Sequence, residues 1–448
     1  MSDQAVNPAP EKQGLLCVRF LLAMLFCAGA VTPQTTAADF FSKPSGFIEG
    51  AVGLRLGDSV TKREYNLLEG RLQLRHTAYP DTPSALGSWN TVFFINAEFI
   101  GDFHEEETDA LLRECYLNLS PVSSVDVKIG RQILTWGTGD LIFINDPFPK
   151  NFVSFFIGRD DELLKLSSDA LKLSFFSDLA NLDFVLIPRF KSDTELHGDR
   201  LTFYNPLTFE REGEDARLHY HKPHDTINNT EMAFRLNRMV QSYEISLYAF
   251  RGYFKQAAGV KDFLRRDVYY PALSIYGGSL RGPFLGGIGS CELGYYTSRK
   301  DTRGDDPYIE NSSLQYLVAY EREFKNDLTI SWQYHIKQML HYDEYKNNQP
   351  LSAVPLMDYN VTLKDHWYKL ATMRVTKLMF QQNLEMSLFI FYSPSEHDYH
   401  VRPRISYKIT DRWKAVCGYN LFGGRDDYTQ FGQFKGDSSV YVRLRYSF

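Results

Sequence analysis

The sequence predicts an all-β protein, a transmembrane antiparallel β-barrel of about 18 strands, with about 16 as the alternative count. Apolar and polar residues alternate along many segments, and the connections between those segments alternate between short and long. No apolar run beyond the amino-terminal one approaches the length of a transmembrane helix. Because alternation with period two gives a strand two unlike faces, these segments suit a wall between lipid and water.

The amino-terminal segment has the layout of a secretory signal. Basic residues precede an apolar run at Phe20–Val31, and the small residues at 36–38 (TAA) offer a cleavage site. The run is shorter than the roughly 20 residues that comfortably span a bilayer as a helix. We therefore expect a signal peptide at 1–38 and an outer-membrane β-barrel at 39–448.

The strand pattern is clearest in the last segment, 440–448 (VYVRLRYSF). Val440, Val442 and Leu444 lie on one face, while Arg443 and Arg445 lie on the other. Predicted strands lie at 46–56, 66–76, 89–101, 109–120, 124–136, 169–177, 182–189, 230–238, 243–252, 269–281, 286–297, 312–323, 328–336, 366–377, 382–393, 398–409, 413–422 and 437–448. The count is even, as bacterial barrels require.

The connections sort by length in a second, independent pattern. Short ones lie at 121–124, 177–181, 281–286, 324–327 and 410–412, and long ones lie near 137–168, 190–229, 253–268, 298–311, 337–365 and 423–436. Outer-membrane barrels have short periplasmic turns and long external loops, whereas a soluble sandwich has no reason to sort its loops. The stretch Thr77–Ser88 is an exception, because it is long for a periplasmic turn.

The composition agrees with a barrel that has a polar interior. Aromatic residues are abundant, with 28 Tyr, 33 Phe and 5 Trp, yet the mean hydropathy lies below zero. A lumen lined by polar groups reconciles a membrane location with a hydrophilic average.

Other classes of function find little support in the sequence. We find no Gly-x-Ser-x-Gly, no His-Glu-x-x-His and no Ser/His pairing, so we expect no enzyme activity and no cofactor. The net charge of −6 disfavours nucleic acid as a partner. His219, His221 and His224 form a weak candidate for a metal site, and solvent-exposed histidines without a metal are the alternative.

The segment Gly130–Gly137 (GRQILTWG), followed by the residues 146–149 (DPFP), resembles porin-type outer-membrane channels, a group that includes the alginate-export-like barrels. The carboxy-terminal residues Tyr446 and Phe448 resemble the signal that the barrel assembly machinery reads in Gram-negative outer-membrane proteins. The resemblance implies an outer-membrane location in a Gram-negative bacterium, with membrane lipid, the assembly machinery and small hydrophilic solutes as partners. A homo-trimer and a monomer both remain open.

In that family the segment after Trp-Gly corresponds to an external loop that often folds into the channel. In this chain the loop is 138–168, the third external one, and its acidic residues are Asp140, Asp146, Asp160, Asp161 and Glu162. Pro147 and Pro149 stop strand pairing. The loop is too apolar to extend into water, because it contains Ile142, Phe143, Ile144, Phe148, Phe152, Phe155 and Phe156. We expect an inward-folded constriction; a lid packed on its neighbours or a contact between protomers is the alternative.

A basic wall is predicted opposite the loop, on the lumen face of the strands that close the barrel. It comprises Arg55, Arg71, Arg75, His400, Arg402, Arg404, Lys408, Lys414, Arg443 and Arg445. An acidic loop opposed to a basic wall creates a transverse field in a narrow pore and, with more cations than carboxylates, a weak anion preference. Alternatively, the arginines pair with Glu49, Glu69, Glu98 or Glu385 and only keep the wall rigid.

Two classes of function follow. One is a porin-like channel for passive diffusion of small hydrophilic solutes. The other is a barrel that acts as a scaffold, adhesin or export component whose external loops bind a partner. Conductance of the purified protein in a planar bilayer distinguishes them.

Overall fold

The computed structural model describes residues 44–61, 63–79, 89–205, 208–214, 218–262, 264–348 and 364–448. The predicted signal peptide at 1–38 lies outside the described residues.

The strands are, in chain order, β1 (Ser45–Arg55), β2 (Tyr65–Ala78), β3 (Asn90–Asp102), β4 (Glu107–Val122), β5 (Val125–Ile133), β6 (Ser167–Phe175), β7 (Asn181–Ile187), β8 (Phe203–Asn205), β9 (Glu210–Glu212), β10 (His219–His221), β11 (Glu231–Val240), β12 (Tyr243–Tyr253), β13 (Gly259–Asp262), β14 (Asp267–Tyr269), β15 (Ala272–Phe284), β16 (Gly287–Ser298), β17 (Ser313–Phe324), β18 (Leu328–Met339), β19 (Trp367–Met379), β20 (Leu384–Ser393), β21 (Asp398–Lys408), β22 (Trp413–Gly424) and β23 (Ser439–Ser447). Eighteen of them form one closed antiparallel barrel in sequence order, and β8 to β10, β13 and β14 form two small sheets outside it. The predicted count of eighteen is confirmed.

The barrel closes because the first and last strands pair along their whole length. The antiparallel register of β1 and β23 runs from Phe47 opposite Ser447 to Arg55 opposite Ser439. Gly46 and Phe448 add two reciprocal backbone hydrogen bonds of 3.0 Å beyond the strand ends. Closure leaves no unpaired edge among the eighteen described strands of the barrel that could recruit another chain.

The two faces of the wall differ as the alternation predicts. On β23 the side chains of Val442 and Leu444 are 52% and 44% exposed, whereas those of Tyr441 and Arg443 are buried at 1% and 2%. The exposed rows carry large apolar side chains around the whole barrel, and the buried rows face its interior. This inversion, with charges inside and apolar groups outside, is the arrangement of a barrel in lipid.

Short and long connections lie at opposite ends of the barrel, with exceptions. Turns of two residues at 123–124, 241–242 and 285–286 mark the short-turn end, and the connections 134–166, 188–230 and 254–271 mark the long-loop end. The predicted exception, the connection 79–89, lies at the short-turn end. The four-residue connections 103–106 and 394–397 break the pattern at the long-loop end.

The long loops carry secondary structure of their own. Strands β8 and β9 pair with each other, and β10 and β14 form a parallel pair that β13 extends. Short helices lie at Phe152–Phe156 and Tyr342–Asn347. None of the helices in the described part of the chain is long and apolar enough to cross a membrane.

Candidate functional site

The connection between β5 and β6, residues 134–166, is named the β5–β6 loop, and it contains the predicted acidic residues. Its helix at Phe152–Phe156 begins at Asn151, whose side chain accepts a hydrogen bond of 2.9 Å from the backbone N–H of Ser154. A 3-10 turn at Asp161–Leu164 follows, capped by the side chain of Asp160. Asp160 and Asp161 are therefore neighbours at the start of this turn.

Asp160 and Asp161, the anchor carboxylates, contact four arginines of the barrel wall. Arg443 and Arg445 each lie 3.0 Å from a carboxylate oxygen of Asp160. Arg402 and Arg404 each lie 3.3 Å from Asp161. These anchor arginines come from β21 and β23, so the loop is joined to the strands that close the barrel.

Two wall carboxylates complete the cluster. Glu49 on β1 lies 2.8 Å from Arg445 and 3.4 Å from Arg443, and Glu385 on β20 lies 2.6 Å from Arg404. Four arginines therefore meet four carboxylates. At these positions the predicted basic wall does not face the acidic loop across water, because the wall and the loop are in direct contact. The arginines also pair with Glu49 and Glu385 of the wall, as the alternative had it.

The remaining wall arginines have separate partners. Arg75 contacts Glu162 of the loop at 2.9 Å. Arg71 contacts Glu69 at 3.2 Å and also Glu98. Arg55 lies apart from the β5–β6 loop, because it pairs at 3.2 Å with Asp437 in the connection between β22 and β23. The predicted single field of cations is thus divided among several ion pairs.

The first half of the loop is held by the other side of the barrel. Glu292 on β16 accepts hydrogen bonds from the backbone N–H of Gly139 at 2.9 Å and from the side chains of Thr138 and Asn145 at 2.9 and 2.8 Å. Its carboxylate is buried, and these donors compensate the cost of burying the charge. Glu292 was not predicted from the sequence, since a single Glu in a strand carries no pattern.

Asp140 and Asp146 do not join the anchor carboxylates. Asp140 lies 3.1 Å from Arg374 on β19, and its backbone exchanges two hydrogen bonds of 2.7 Å with the side chain of Gln333. Asp146 pairs within the loop, at 3.0 Å from Lys150. The five predicted acidic residues therefore belong to four separate sets of ion pairs, with the anchor carboxylates counted as one set, because Glu162 pairs with Arg75. Arg374 and Gln333 are partners that the sequence did not reveal.

Aromatic side chains pack the loop helix against the wall. The ring of Phe156 lies 5.5 to 5.6 Å from the rings of His400 and Phe422 on β21 and β22. The guanidinium of Arg402 lies 3.9 Å above the ring of Phe155. Phe155, Phe156 and Phe422 belong to one buried apolar cluster that includes Phe391 and Tyr441 of the wall. The loop therefore has the packing surface that its composition demanded.

The charge state of the loop follows from these contacts. Burial alone would raise the pKa of both anchor carboxylates, but the adjacent guanidinium groups outweigh it and hold the pKa of Asp160 and of Asp161 below the ordinary value. Burial outweighs the attraction of Arg374 at Asp140 and raises the pKa of that carboxyl. The anchor carboxylates are thus ionised at neutral pH.

The histidine cluster divides in the structure. His219 and His221 lie on β10 and contact the carboxylate of Asp267 at 3.3 and 3.2 Å, whereas His224 lies beyond that strand. Across the described residues, no group of three or more His, Cys, Asp or Glu side chains is arranged to hold a metal ion.

The comparisons with known proteins concern the fold. No family model matches the sequence, and no curated protein matches it. OccK11 (OpdR) of Pseudomonas aeruginosa aligns over 91% of this chain and 97% of that chain, with a TM-score of 0.52 and 11% identity. OccAB3 of Acinetobacter baumannii aligns over 92% and 99%, with a TM-score of 0.53 and 10% identity. OccAB4 of the same organism aligns over 90% and 97%, with a TM-score of 0.53 and 10% identity. At such identities the likeness shows the barrel fold alone.

Proposed function

We propose that this protein is a porin-type channel of the Gram-negative outer membrane, through which small hydrophilic solutes diffuse passively. The closed barrel with an apolar outer face and a charged inner face supports this function, and so does the fold shared with the Occ proteins. Outer-membrane lipid, the barrel assembly machinery and the solutes are the proposed partners. No step of this function calls for a catalytic group or a cofactor.

The observation that carries the proposal is the attachment of the β5–β6 loop to both sides of the barrel interior. The anchor carboxylates contact β21 and β23, while Thr138 to Asn145 contact Glu292 on β16. We infer that a loop attached in this way folds inward and narrows the passage, so that side chains at its edge act on passing solutes. We therefore assign the constriction to this loop.

A weak anion preference forms part of the proposal, but fewer cations support it than the sequence predicted. The anchor arginines are matched by carboxylates, so their net field is small. Lys408 and Lys414 face the interior nearer the short-turn end and belong to no ion pair within the described ranges. The reversal potential across a salt gradient measures the preference, which should shrink as salt screens the pore.

The test is the conductance of the purified, folded barrel in a planar bilayer. A channel produces discrete steps whose size scales with the salt concentration. A folded barrel that inserts without producing steps would contradict the proposal.

The second candidate is a scaffold, adhesin or export component whose external loops bind a partner. The observation that favours it is the buried apolar cluster, in which Phe155 and Phe156 of the loop pack with Phe431 and Phe434 of a second connection and occupy part of the interior. The ordered external sheets β8–β9 and β10–β14–β13 offer surfaces for a partner. Absence of conductance together with normal insertion would support this candidate.

The predicted signal peptide and oligomeric state belong to the proposal as well. Amino-terminal sequencing of the mature protein tests cleavage after residue 38. Cross-linking in detergent and in membranes distinguishes a homo-trimer from a monomer.

A further inference from the structure

A basic cleft lies on the outward face of the barrel, at the long-loop end. Its volume is about 320 Å³, and Asn228, Thr230, Arg251, Tyr253, Arg299 and Lys300 line it. The cleft lies where four neighbouring strands, β11, β12, β15 and β16, reach their long loops. It is therefore separate from the β5–β6 loop and its ion pairs.

The strand register places this cleft on the outer surface. Arg251 on β12 lies opposite Met232 on β11 and opposite Ser274 on β15. Met232 is 40% exposed, and Leu247, which precedes Arg251 by four residues on the same face of β12, is 56% exposed. Arg251 therefore lies on the outward face of the barrel, at the long-loop end of a row of apolar side chains.

The position of the cleft along the membrane normal follows from the aromatic residues beside it. Tyr276 and Tyr295 lie opposite each other on β15 and β16 and are 56% and 41% exposed on the same outward face. Ser274, the partner of Arg251, lies two residues further toward the long loops, a rise of about 7 Å. Because exposed aromatic rings mark the boundary of the apolar band, the cleft lies at the level of lipid headgroups.

The cleft has a surplus of positive charge. Its lining contains three cations and no carboxylate, and within the described residues none of the three cations takes part in an ion pair. The guanidinium of Arg299 donates one hydrogen bond of 2.9 Å, to the carbonyl of Gly252, while its Nε is buried without a hydrogen-bond partner. A lining of this composition suits an anionic ligand, because a negative charge compensates its cations.

We propose that this cleft binds the phosphate group of a lipid in the outer leaflet. Guanidinium groups bind phosphate oxygens through paired, charge-assisted hydrogen bonds, and Asn228 and Thr230 add neutral donors. Free phosphate has the same chemistry, but the apolar row below Arg251, formed by Leu247, Ile245 and Leu280, provides a surface for acyl chains. The proposal rests on the outer-membrane location proposed above and is independent of channel activity.

The experiment titrates the purified, folded barrel in detergent with three probes and measures binding by calorimetry. The probes are diphosphorylated lipid A, the same lipid after enzymatic removal of its phosphates, and inorganic phosphate. The variants are Arg251→Ser and Arg299→Ser, with Arg265→Ser as the matched control, because Arg265 lies in an external loop with its side chain 79% exposed. Heat-modifiable gel mobility verifies folding of every variant.

We expect the phosphorylated lipid to bind wild type and the control equally, and each cleft variant about tenfold more weakly, the effect of losing one charge-assisted hydrogen bond. Equal binding of the dephosphorylated lipid would overturn the phosphate contact. Inorganic phosphate that binds as tightly as the lipid would overturn the lipid as its source, and an equal loss in the control would overturn the cleft as the site. If Arg299→Ser fails to fold, exposed Lys300→Ser replaces it. This experiment does not measure conductance, so its result is the same whether or not the protein forms a channel.

Discussion

At the scale of single residues, the interior of this barrel is organised by charges that neutralise one another. Arg443 is only 2% exposed, and an isolated charge at that depth is costly to bury. It is stabilised because Glu49 comes from the neighbouring strand and Asp160 from the β5–β6 loop. The anchor carboxylates therefore serve the wall as well as the loop, and removing them leaves charges without partners.

The first prediction concerns these carboxylates. Replacing Asp160 and Asp161 by Asn should loosen the loop, because each hydrogen bond to a charged group contributes about 1.5–3 kcal/mol. If the loop is the constriction, single-channel current should rise and become noisier, and the freed arginines should move the reversal potential toward anions. The matched control replaces Asp305 and Asp343, exposed in other loops, by Asn. Unaltered current and selectivity in the anchor variant would show that the loop does not form the constriction.

The second prediction concerns the terminal residue. The backbone of Phe448 pairs with Gly46, while its side chain is 45% exposed beside Tyr446. If the assembly machinery reads this ring, its loss should reduce assembly more than it weakens the closed barrel. Phe448→Asp should lower the amount of assembled barrel and leave protein in the periplasm, measured as the heat-modifiable fraction on a gel. An unchanged folded fraction would show that the terminal signal is not used.

At the scale of elements, the β5–β6 loop is a packed unit with a defined turn. Gly158 has φ +88°, and a Cβ at this position would overlap the ring of Tyr441 on β23. The glycine thus permits both the left-handed backbone and the close approach to the wall. At this turn the helix packs against the aromatic cluster, and Asp160, two residues further along the chain, contacts its arginines.

The third prediction follows from this turn. Gly158→Ala should destabilise the seated loop by about 1–3 kcal/mol, the cost of a non-glycine residue in a strained backbone conformation. Gly70→Ala on β2 is the matched control, because a Cβ there meets no atom within 4 Å. Limited proteolysis of the folded protein should cleave the β5–β6 loop faster in Gly158→Ala than in the control. Equal cleavage rates would mean that the loop is not seated on Tyr441.

The fourth prediction concerns pH. The pKa of each anchor carboxyl is lowered from its ordinary 3.8, so the anchoring free energy is fully present above that value and is lost as the pH falls through the lowered pKa. The contacts of Asp160 and Asp161 with their arginines should therefore be the same at pH 5 and pH 8, and conductance that depends on these contacts should change only in stronger acid. A transition centred between pH 5 and pH 8 would show that another group controls the loop.

At the scale of the whole molecule, closure and the sorting of connections define the orientation. Ser447 at the end of β23 donates its backbone N–H to Arg412, which places the carboxy terminus beside the tight turn 409–412. The start of β1 pairs with the same end of β23. Both ends of the barrel chain thus lie at the short-turn end, the periplasmic side in outer-membrane barrels.

The fifth prediction tests this orientation. Protease applied to intact cells should cleave within 188–230 or within the connection 340–366, and it should spare 409–412. Peptides mapped by mass spectrometry identify the sites, and lysed cells provide the control for access from the periplasmic side. Cleavage at 409–412 in intact cells would invert the topology.

The amino-acid sequence by itself determined the barrel, its eighteen strands and the assignment of side chains to its two faces. Period-two alternation is a local property, so Val442 outside and Arg443 inside are readable from their neighbours. The tertiary structure alone decided which charges meet, because Asp161 and Arg402 are separated by 241 residues and join only after the barrel closes. The same holds for the partners of Glu292, for the short strands of the outer loops and for the basic cleft. Each is formed by chain segments far apart in the sequence, and no local pattern predicts that these segments meet.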